Sequence, residues 1–359
     1  MTKSSKVISQ APGRVCLFGE HQDYLELPVI AAAISKYLWI TAEKNNAEFF
    51  RIHMPDICQS REIWIHEPFH ALQKRDYFGS MLRVLKRYGC IPSCGYDIEI
   101  RGEIPISAGA SSSSALTVAW GQLLLKLFGA DVPIDSDLLA RAAFTAEVKE
   151  HGEPGGLMDQ FTISKGNVIH IQTYGNYKIE FLTKELDGLI VGDSKVEKKT
   201  LQVLAGTKEK VFGAMEILKR KNPGIQLSHI TPESMMQYLK ELPDTISGYF
   251  KAAVLNHFVT KQALFEFRKK KINLAKIGKL MNQHHEILRD LLKITVPKID
   301  KMIEVVLSNG ALGAKINGSG GGGTIVVLAP GKEDHVIEAL RNVGADGFSV
   351  KVDPGARIV

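Results

Sequence analysis

Residues 107–116 read SAGASSSSAL, four consecutive serines among small residues. A polar decapeptide with so little side chain has too little apolar surface to offset the entropy of ordering it, and alone it reads as a linker. Its flanks argue otherwise: RGEIPI (101–106) stands before it, and the apolar run ALTVAWGQLLLKLFGA (115–130) follows without a break. The serines therefore feed a helix. Small residues let backbone N–H groups approach an oxyanion, and a helix start adds the positive end of its dipole, an arrangement that suits a phosphate. Serine hydroxyls there also reach a hard cation bound to the phosphates. A plain helix cap with incidental serines is the alternative.

Around this stretch lies a chain of ordinary globular composition: 359 residues, 45% hydrophobic and 23% charged. That length accommodates two packed domains. No run reaches the roughly 18 uncharged apolar residues of a membrane span, and MTKSSKVISQAPGR at the N-terminus lacks the apolar core of a signal peptide. A cytoplasmic protein with no membrane partner is expected. Four cysteines (Cys16, Cys58, Cys90, Cys94) are too few for a disulfide framework and read as reduced thiols. The net charge of +6 is modest, and FRKKKINLAKIGK (267–279) reads as the solvated face of a helix. With no recognised motif or interleaved aromatics, a nucleic-acid role is not expected. An anionic small molecule fits the surplus as well.

Alternation and short apolar runs predict strands at 27–43, 46–55, 95–101 and 167–173, with helices at 76–89 and 114–129. From about 197 to 308 the pattern turns helical, after which GAKINGS, GTIVVLAP and FSVKVDPG predict strands around a helix, HVIEALRNVG. This change of texture predicts an α+β chain with a second domain beginning near residue 190.

Two further stretches carry chemistry. GAKINGSGGGG (313–323) places consecutive glycines between a helix and a strand, which marks backbone at positive φ or in close approach to a partner, or else a flexible turn. It matches neither standard nucleotide fingerprint. APGRVCLFGEHQDY (11–24) packs Arg14, Glu20, His21, Asp23 and Tyr24 beside two glycines, a density of polar groups able to orient a polyhydroxylated ligand, or simply a surface loop. In EVKEHGEPGGLMDQFTI (147–163), Glu147 and Asp159 stand twelve residues apart; such a pair can divide labour between a metal and a reactive hydroxyl, or be two unrelated exposed acids.

Taken in order, these stretches resemble the GHMP kinase family (galactokinase, homoserine kinase, mevalonate kinase, phosphomevalonate kinase). GRVCLFGEHQDY is similar to the galactokinase signature G-R-V-N-L-I-G-E-H-T-D-Y, with Cys16, Phe18 and Gln22 as departures. PISAGASSSSAL resembles the phosphate loop P-x-G-A-G-L-S-S-S, with Ser107 and Ala110 as departures, and GAKINGSGGGG resembles the third motif. GGLMDQF and LMNQHHEILRDLLKITVPKID are similar to two further galactokinase segments.

The resemblance implies a two-domain GHMP kinase fold, with a ribosomal protein S5 domain 2-like domain over residues 1–190 and a ferredoxin-like domain over 191–359. It implies an ATP-dependent, Mg²⁺-requiring kinase of a monosaccharide at its anomeric hydroxyl, galactose or a related sugar or sugar acid, acting as a monomer or small homo-oligomer. Gly109, Ala110, Ser111, Ser112 and Ser113 would cradle the phosphates of ATP; Ser113 and Glu147 would hold Mg²⁺, and Tyr77 would lie against the base. Arg14 and Asp159 would be catalytic, while Glu20, His21, Asp23 and Gly156 would hold sugar hydroxyls. A kinase of another small alcohol such as mevalonate, or a non-catalytic nucleotide- and sugar-binding regulator, is the alternative. The tyrosine that galactokinases present to the sugar early in the second domain has no counterpart between Tyr177 and Tyr238, where Lys195, Lys198 and Lys199 stand instead. A cation there would meet a sugar carboxylate or remain in solvent.

Overall fold

The computed structural model of the chain describes residues 6–105, 109–173, 176–197 and 200–359, with the side chains of 200–205 set aside. Ser107, Lys198 and Lys199 lie outside the described residues.

In chain order the elements are β1 (Val7–Phe18), β2 (Val29–Lys44), β3 (Phe49–Met54), β4 (Gln59–Trp64), α1 (Tyr77–Lys86), β5 (Tyr96–Gly102) and α2 (Ser112–Phe128). There follow α3 (Ser136–Phe144), α4 (Met158–Lys165), β6 (Val168–Gln172), β7 (Lys178–Thr183), β8 (Leu189–Asp193), α5 (Thr200–Lys221) and α6 (Pro232–Leu239). The last are α7 (Asp244–Phe267), α8 (Leu274–Asp290), α9 (Pro297–Ser308), β9 (Gly313–Asn317), β10 (Thr324–Leu328), α10 (Glu333–Asn342), β11 (Asp346–Ser349) and β12 (Arg357–Ile358).

Among the described residues the strands form two sheets. The first runs β12-β1-β2-β5-β3-β4, with β6 and β7 joined to the opening half of the long strand β2. The second is antiparallel in the order β11-β8-β10-β9. Its β-α-β-β-α-β path with that order is the ferredoxin-like arrangement. The mixed α and β content, divided over two sheets with a ferredoxin-like second one, agrees with the α+β reading of the sequence.

Strand alternation makes β1 the joint of the molecule. Val15 and Leu17 face the second half of the chain, packing in one apolar cluster with Phe267, Ile277, Leu280, Val326 and Leu328. Cys16 faces the other way, onto Met158 and Phe161 of α4, as a period of two requires. Pro12 and Gly13 sit at a register shift between β1 and β2, a place where a missing N–H is tolerated. On the helical side Trp120 of α2 anchors the first core, edge-on to both Phe50 and Phe78 at 5.3 and 5.6 Å between ring centroids.

The strands and helices expected from pattern are present, except that FSVKVDPG is shifted, β11 being Asp346–Ser349. Periodicity alone did not isolate β4, β7, the two-residue β12 or the short β8; the first three are edge pieces whose pairing, not their composition, makes them strands, while β8 is a buried inner strand. The basic cluster at 267–279 is not one helical face. It spans the turn between α7 and α8, where Lys269 and Lys276 flank the fully buried Glu266 at 2.7 and 3.5 Å. All four cysteines are unpaired, and no described helix is long and apolar enough to cross a membrane.

One close approach fixes how β9 is carried. A Cβ on Gly278 of α8 would stand 2.5 Å from the Leu312 backbone, and one on Gly313 would stand 2.3 Å from the Gly278 carbonyl oxygen. Gly278→Ala must therefore push α8 off β9, and a loss of about 2 kcal/mol is expected, in the range of core overpacking. Gly213→Ala in α5, where none of the described residues lies within 4 Å of the new methyl, should gain roughly 0.5–1 kcal/mol by helix propensity. Denaturant midpoints of the two variants, moving in opposite directions, check both statements.

Candidate active site

A cavity of about 850 Å³ opens between the two sheets and the starts of α2 and α4. Its wall includes Arg14, Glu20, His21, Asp23, Tyr77, Gly109, Ser111, Ser112, Ser113, Glu147, Gly156 and Asp159. Of the residues expected from the resemblance to bind or act in the site, Ala110 alone is not on that wall. Its side chain is buried, and its carbonyl accepts from the Arg14 N–H at 3.3 Å. Lys195 is elsewhere, paired in solvent with Asp346 at 2.9 Å.

The serines at 111–114 lead into α2 as their flanks predict. Gly109 and Ser111 both take positive φ, 92° and 62°, so the chain coils tightly before the helix begins. Ser111 occupies the N-cap position of α2 but makes no cap with its side chain. Its hydroxyl donates instead to the Asp159 carboxylate. The first backbone N–H groups of a seventeen-residue helix are thereby left facing the cavity, with the positive end of its dipole.

Asp159 and Arg14 form a fork. Arg14 Nε donates to Oδ1 at 2.7 Å and Nη2 to Oδ2 at 2.8 Å, while Nη1 reaches the Gly109 carbonyl at 2.6 Å. Burial works against the guanidinium charge, but the Asp159 carboxylate more than reverses this, and Arg14 is held charged. Such bidentate pairs fix direction as well as charge. Asp159 lies in the first turn of α4, and that turn's Met158 N–H donates to Asp23 at 3.2 Å. Asp23, from the loop after β1, thus caps the helix that carries Asp159.

The Gly-Pro-rich loop expected between Glu147 and Asp159 begins later than its composition implies. Glu147 lies in a π-helical turn, Thr145–Lys149, that continues α3; such wide turns occur often at functional sites. Nor are the two acids exposed and unrelated. Glu147 is buried, accepting from Ser113 Oγ at 2.8 Å and from Gln160 Nε2 at 2.7 Å. Burial raises its pKa, and those hydrogen bonds oppose the rise. Tyr77 closes the far side, edge-on to His151 at 5.6 Å, its hydroxyl made less acidic by burial. Beyond it the wall turns apolar, with Leu38, Met54, Ile57, Ile100 and Leu116.

At the opposite end, a Cβ on Gly156 would stand 2.1 Å from the Asp23 carboxyl, so any side chain there must displace that carboxyl. His21 Nδ1 meets the Tyr24 hydroxyl at 2.7 Å, and its Nε2 lies 3.0 Å from the Ser319 carbonyl oxygen. Glu20 accepts from Lys315 Nζ and from the Gly318 N–H. Lys315, Asn317, Gln160 and Ser319 were not singled out in the sequence. For Lys315 the signal was present: one charge between Ala314 and Ile316 in an apolar strand requires a buried partner.

The chain is similar to known proteins in sequence and in fold. Residues 76–167 match the description "GHMP kinases N terminal domain", residues 263–346 "GHMP kinases C terminal", and residues 2–44 "Galactokinase galactose-binding signature". The galactokinase of Pasteurella multocida is 28% identical over 94% of this chain and 88% of its own length. The mevalonate kinase of Thermococcus onnurineus is 26% identical over 98% of each. The crystal structure of Lactococcus lactis galactokinase complexed with galactose superposes with a TM-score of 0.86 at 23% identity, covering 98% of this chain and 95% of that one.

The Asp23 carboxyl is pushed up to about 6, first by burial and then by the charge of Asp159, against its two amide hydrogen bonds. A raised acid binds its proton more tightly folded than unfolded, so its ionisation destabilises the fold progressively from about pH 4 to 6, and the cost persists above that. Because this carboxyl faces the cavity, the cost is discounted to roughly 1–2 kcal/mol. Asp23→Asn is expected to raise the denaturation midpoint at pH 7.5 and to lose that advantage at pH 4; an equal shift at both values would contradict the assignment.

Proposed function

The chain belongs to the GHMP kinase family, and we propose that it transfers the terminal phosphoryl group of ATP to the anomeric hydroxyl of a monosaccharide, galactose or a related sugar or sugar acid. One observation carries this reading: Glu20, His21 and Asp23, within the stretch matching the galactose-binding signature, line the same cavity as the start of α2 and the Arg14–Asp159 fork.

The residues present suit ATP and Mg²⁺. Backbone N–H groups at the start of α2, with the helix dipole behind them, are complementary to phosphate oxygens. Ser113 and Glu147 offer the hard oxygen donors that magnesium prefers. Among the described residues no group of three or more His, Cys, Asp or Glu side chains is placed to hold a metal. Mg²⁺, when bound, would neutralise charge on the phosphates.

Phosphoryl transfer asks mainly for alignment and charge stabilisation, and the chain's own groups divide that work. Asp159, clamped by Arg14 and Ser111, would accept a hydrogen bond from the attacking hydroxyl and orient it. An ordinary carboxylate has a pKa near 4, far below that of a sugar hydroxyl, so proton and phosphoryl would move together. Arg14 would sit beside the oxygen as negative charge moves through it. Asp23 and Gly156 would hold hydroxyls further round the ring, and Tyr77 with the apolar wall would bound the base.

Similarity to mevalonate kinases across the chain keeps a second acceptor in view, a small open-chain alcohol. Mg-ATP turnover over galactose, glucose, N-acetylgalactosamine, fucose, galacturonate, glucuronate, a heptose and mevalonate separates the readings: sugar-dependent ATP consumption is expected, and turnover with mevalonate alone overturns it. Asp159→Asn should cut turnover at least 100-fold while nucleotide affinity stays within about threefold. Glu147→Gln should raise the Mg²⁺ concentration needed for half-maximal rate about tenfold, read at saturating ATP.

A further inference from the structure

Asn317 ends β9, is fully buried, and belongs to the second sheet, yet its amide works in the first. Its Oδ1 accepts from the Cys16 N–H at 2.9 Å, and its Nδ2 donates to the Gly109 carbonyl at 3.0 Å and to Thr324 Oγ1 at 3.1 Å. The N–H groups of Arg14 and Cys16 point to the edge of β1 that β12, pairing only with Ser9 and Gln10, does not cover. The Ala110 carbonyl takes the first and Asn317 the second. The phosphate loop and β9 together close that edge.

The Gly109 carbonyl consequently receives two donors, Arg14 Nη1 at 2.6 Å and Asn317 Nδ2 at 3.0 Å. A trans peptide is planar with its C=O and N–H on opposite sides, so pinning the Gly109 oxygen fixes the direction of the Ala110 N–H. That explains how Ala110 can serve the loop although its side chain is turned into the core. Arg14 is shared, its other nitrogens being engaged by Asp159. Asn317 reaches Gly109 from the second sheet, independently of Asp159.

We infer that Asn317 is a positioning residue for the nucleotide: it holds the Gly109–Ala110 peptide plane in the orientation that presents the loop's N–H groups to phosphate, without touching phosphate, base or sugar. The inference rests on the reading of this cavity as a nucleotide site. It assigns Asn317 to affinity for the phosphates alone, since the apolar wall near Tyr77 is built from other elements.

Threonine and valine have nearly one shape and differ in a hydroxyl, so Asn317→Thr retains a donor near Gly109 and Asn317→Val removes it. Affinities for ATP, ADP and adenosine are measured by calorimetry or ligand-observed NMR, with melting temperatures taken alongside. The valine protein is expected to bind ATP and ADP about tenfold more weakly than the threonine protein, with adenosine unchanged within twofold. Equal ATP affinity in the two variants, or adenosine weakening in step with ATP, overturns the inference, the second result marking a merely structural role. If the valine protein does not fold, Asn317→Ser against Asn317→Ala poses the same comparison. Failure of the unaltered protein to bind ATP sinks the nucleotide reading and the inference together, whereas normal binding with no difference between variants sinks the inference alone.

Discussion

An ammonium group removed from water must be met by oxygens, and Lys315 is fully buried. It finds the Cys16 carbonyl at 2.9 Å, the Ile316 carbonyl at 2.7 Å and the Glu20 carboxylate. Two of those three oxygens belong to the first sheet or the loop that leaves it, while the lysine belongs to the second. Any slide of β9 along β1 would strand a charge in the core, at a cost of several kcal/mol. The relative position of the two sheets is therefore held at the line where the cavity opens.

Much of the polar lining of the cavity is tied to that joint. Glu20, its one oxygen taken by Lys315, uses the other to hold the Gly318 N–H, and His21 meets the Ser319 carbonyl oxygen. The glycine run is thus tied to the loop after β1. From there the network passes through Asn317 to Gly109, through Arg14 to Asp159, and through Asp23 to the first turn of α4. Groups far apart in the chain are positioned by hydrogen bonds in a low-dielectric interior, where directionality is sharp and an unpaired partner is expensive.

How much of this the sequence disclosed depended on whether the physics was local. The helix at 112–128 and the long strand β2 follow from apolar spacing, and the serine loop from its position against a helix start. Arg14, Glu147 and Asp159 were legible as candidates because short motifs carried them. Burial of Glu147 was not, since it depends on a π-helical turn and on Ser113 and Gln160 arriving from other elements. The roles of Lys315 and Asn317 were hidden for the same reason: a glycine-rich stretch drew the eye to backbone freedom, while the two side chains that matter act some 300 residues away from their partners. Asp23 shows both sides, its place in the loop being readable and its service as a cap for α4 not.

The pairing of β12 with Ser9 and Gln10 has a bearing on how the molecule comes together. Residues 9 and 10 are made long before 357 and 358, so the short part of the β1 edge that β12 covers stays unpaired until β12 has been made. Contacts spanning that separation close slowly because a long loop must be ordered before they form. The nascent first half accordingly emerges with that short stretch of rim open to stray strand pairing until β12 arrives.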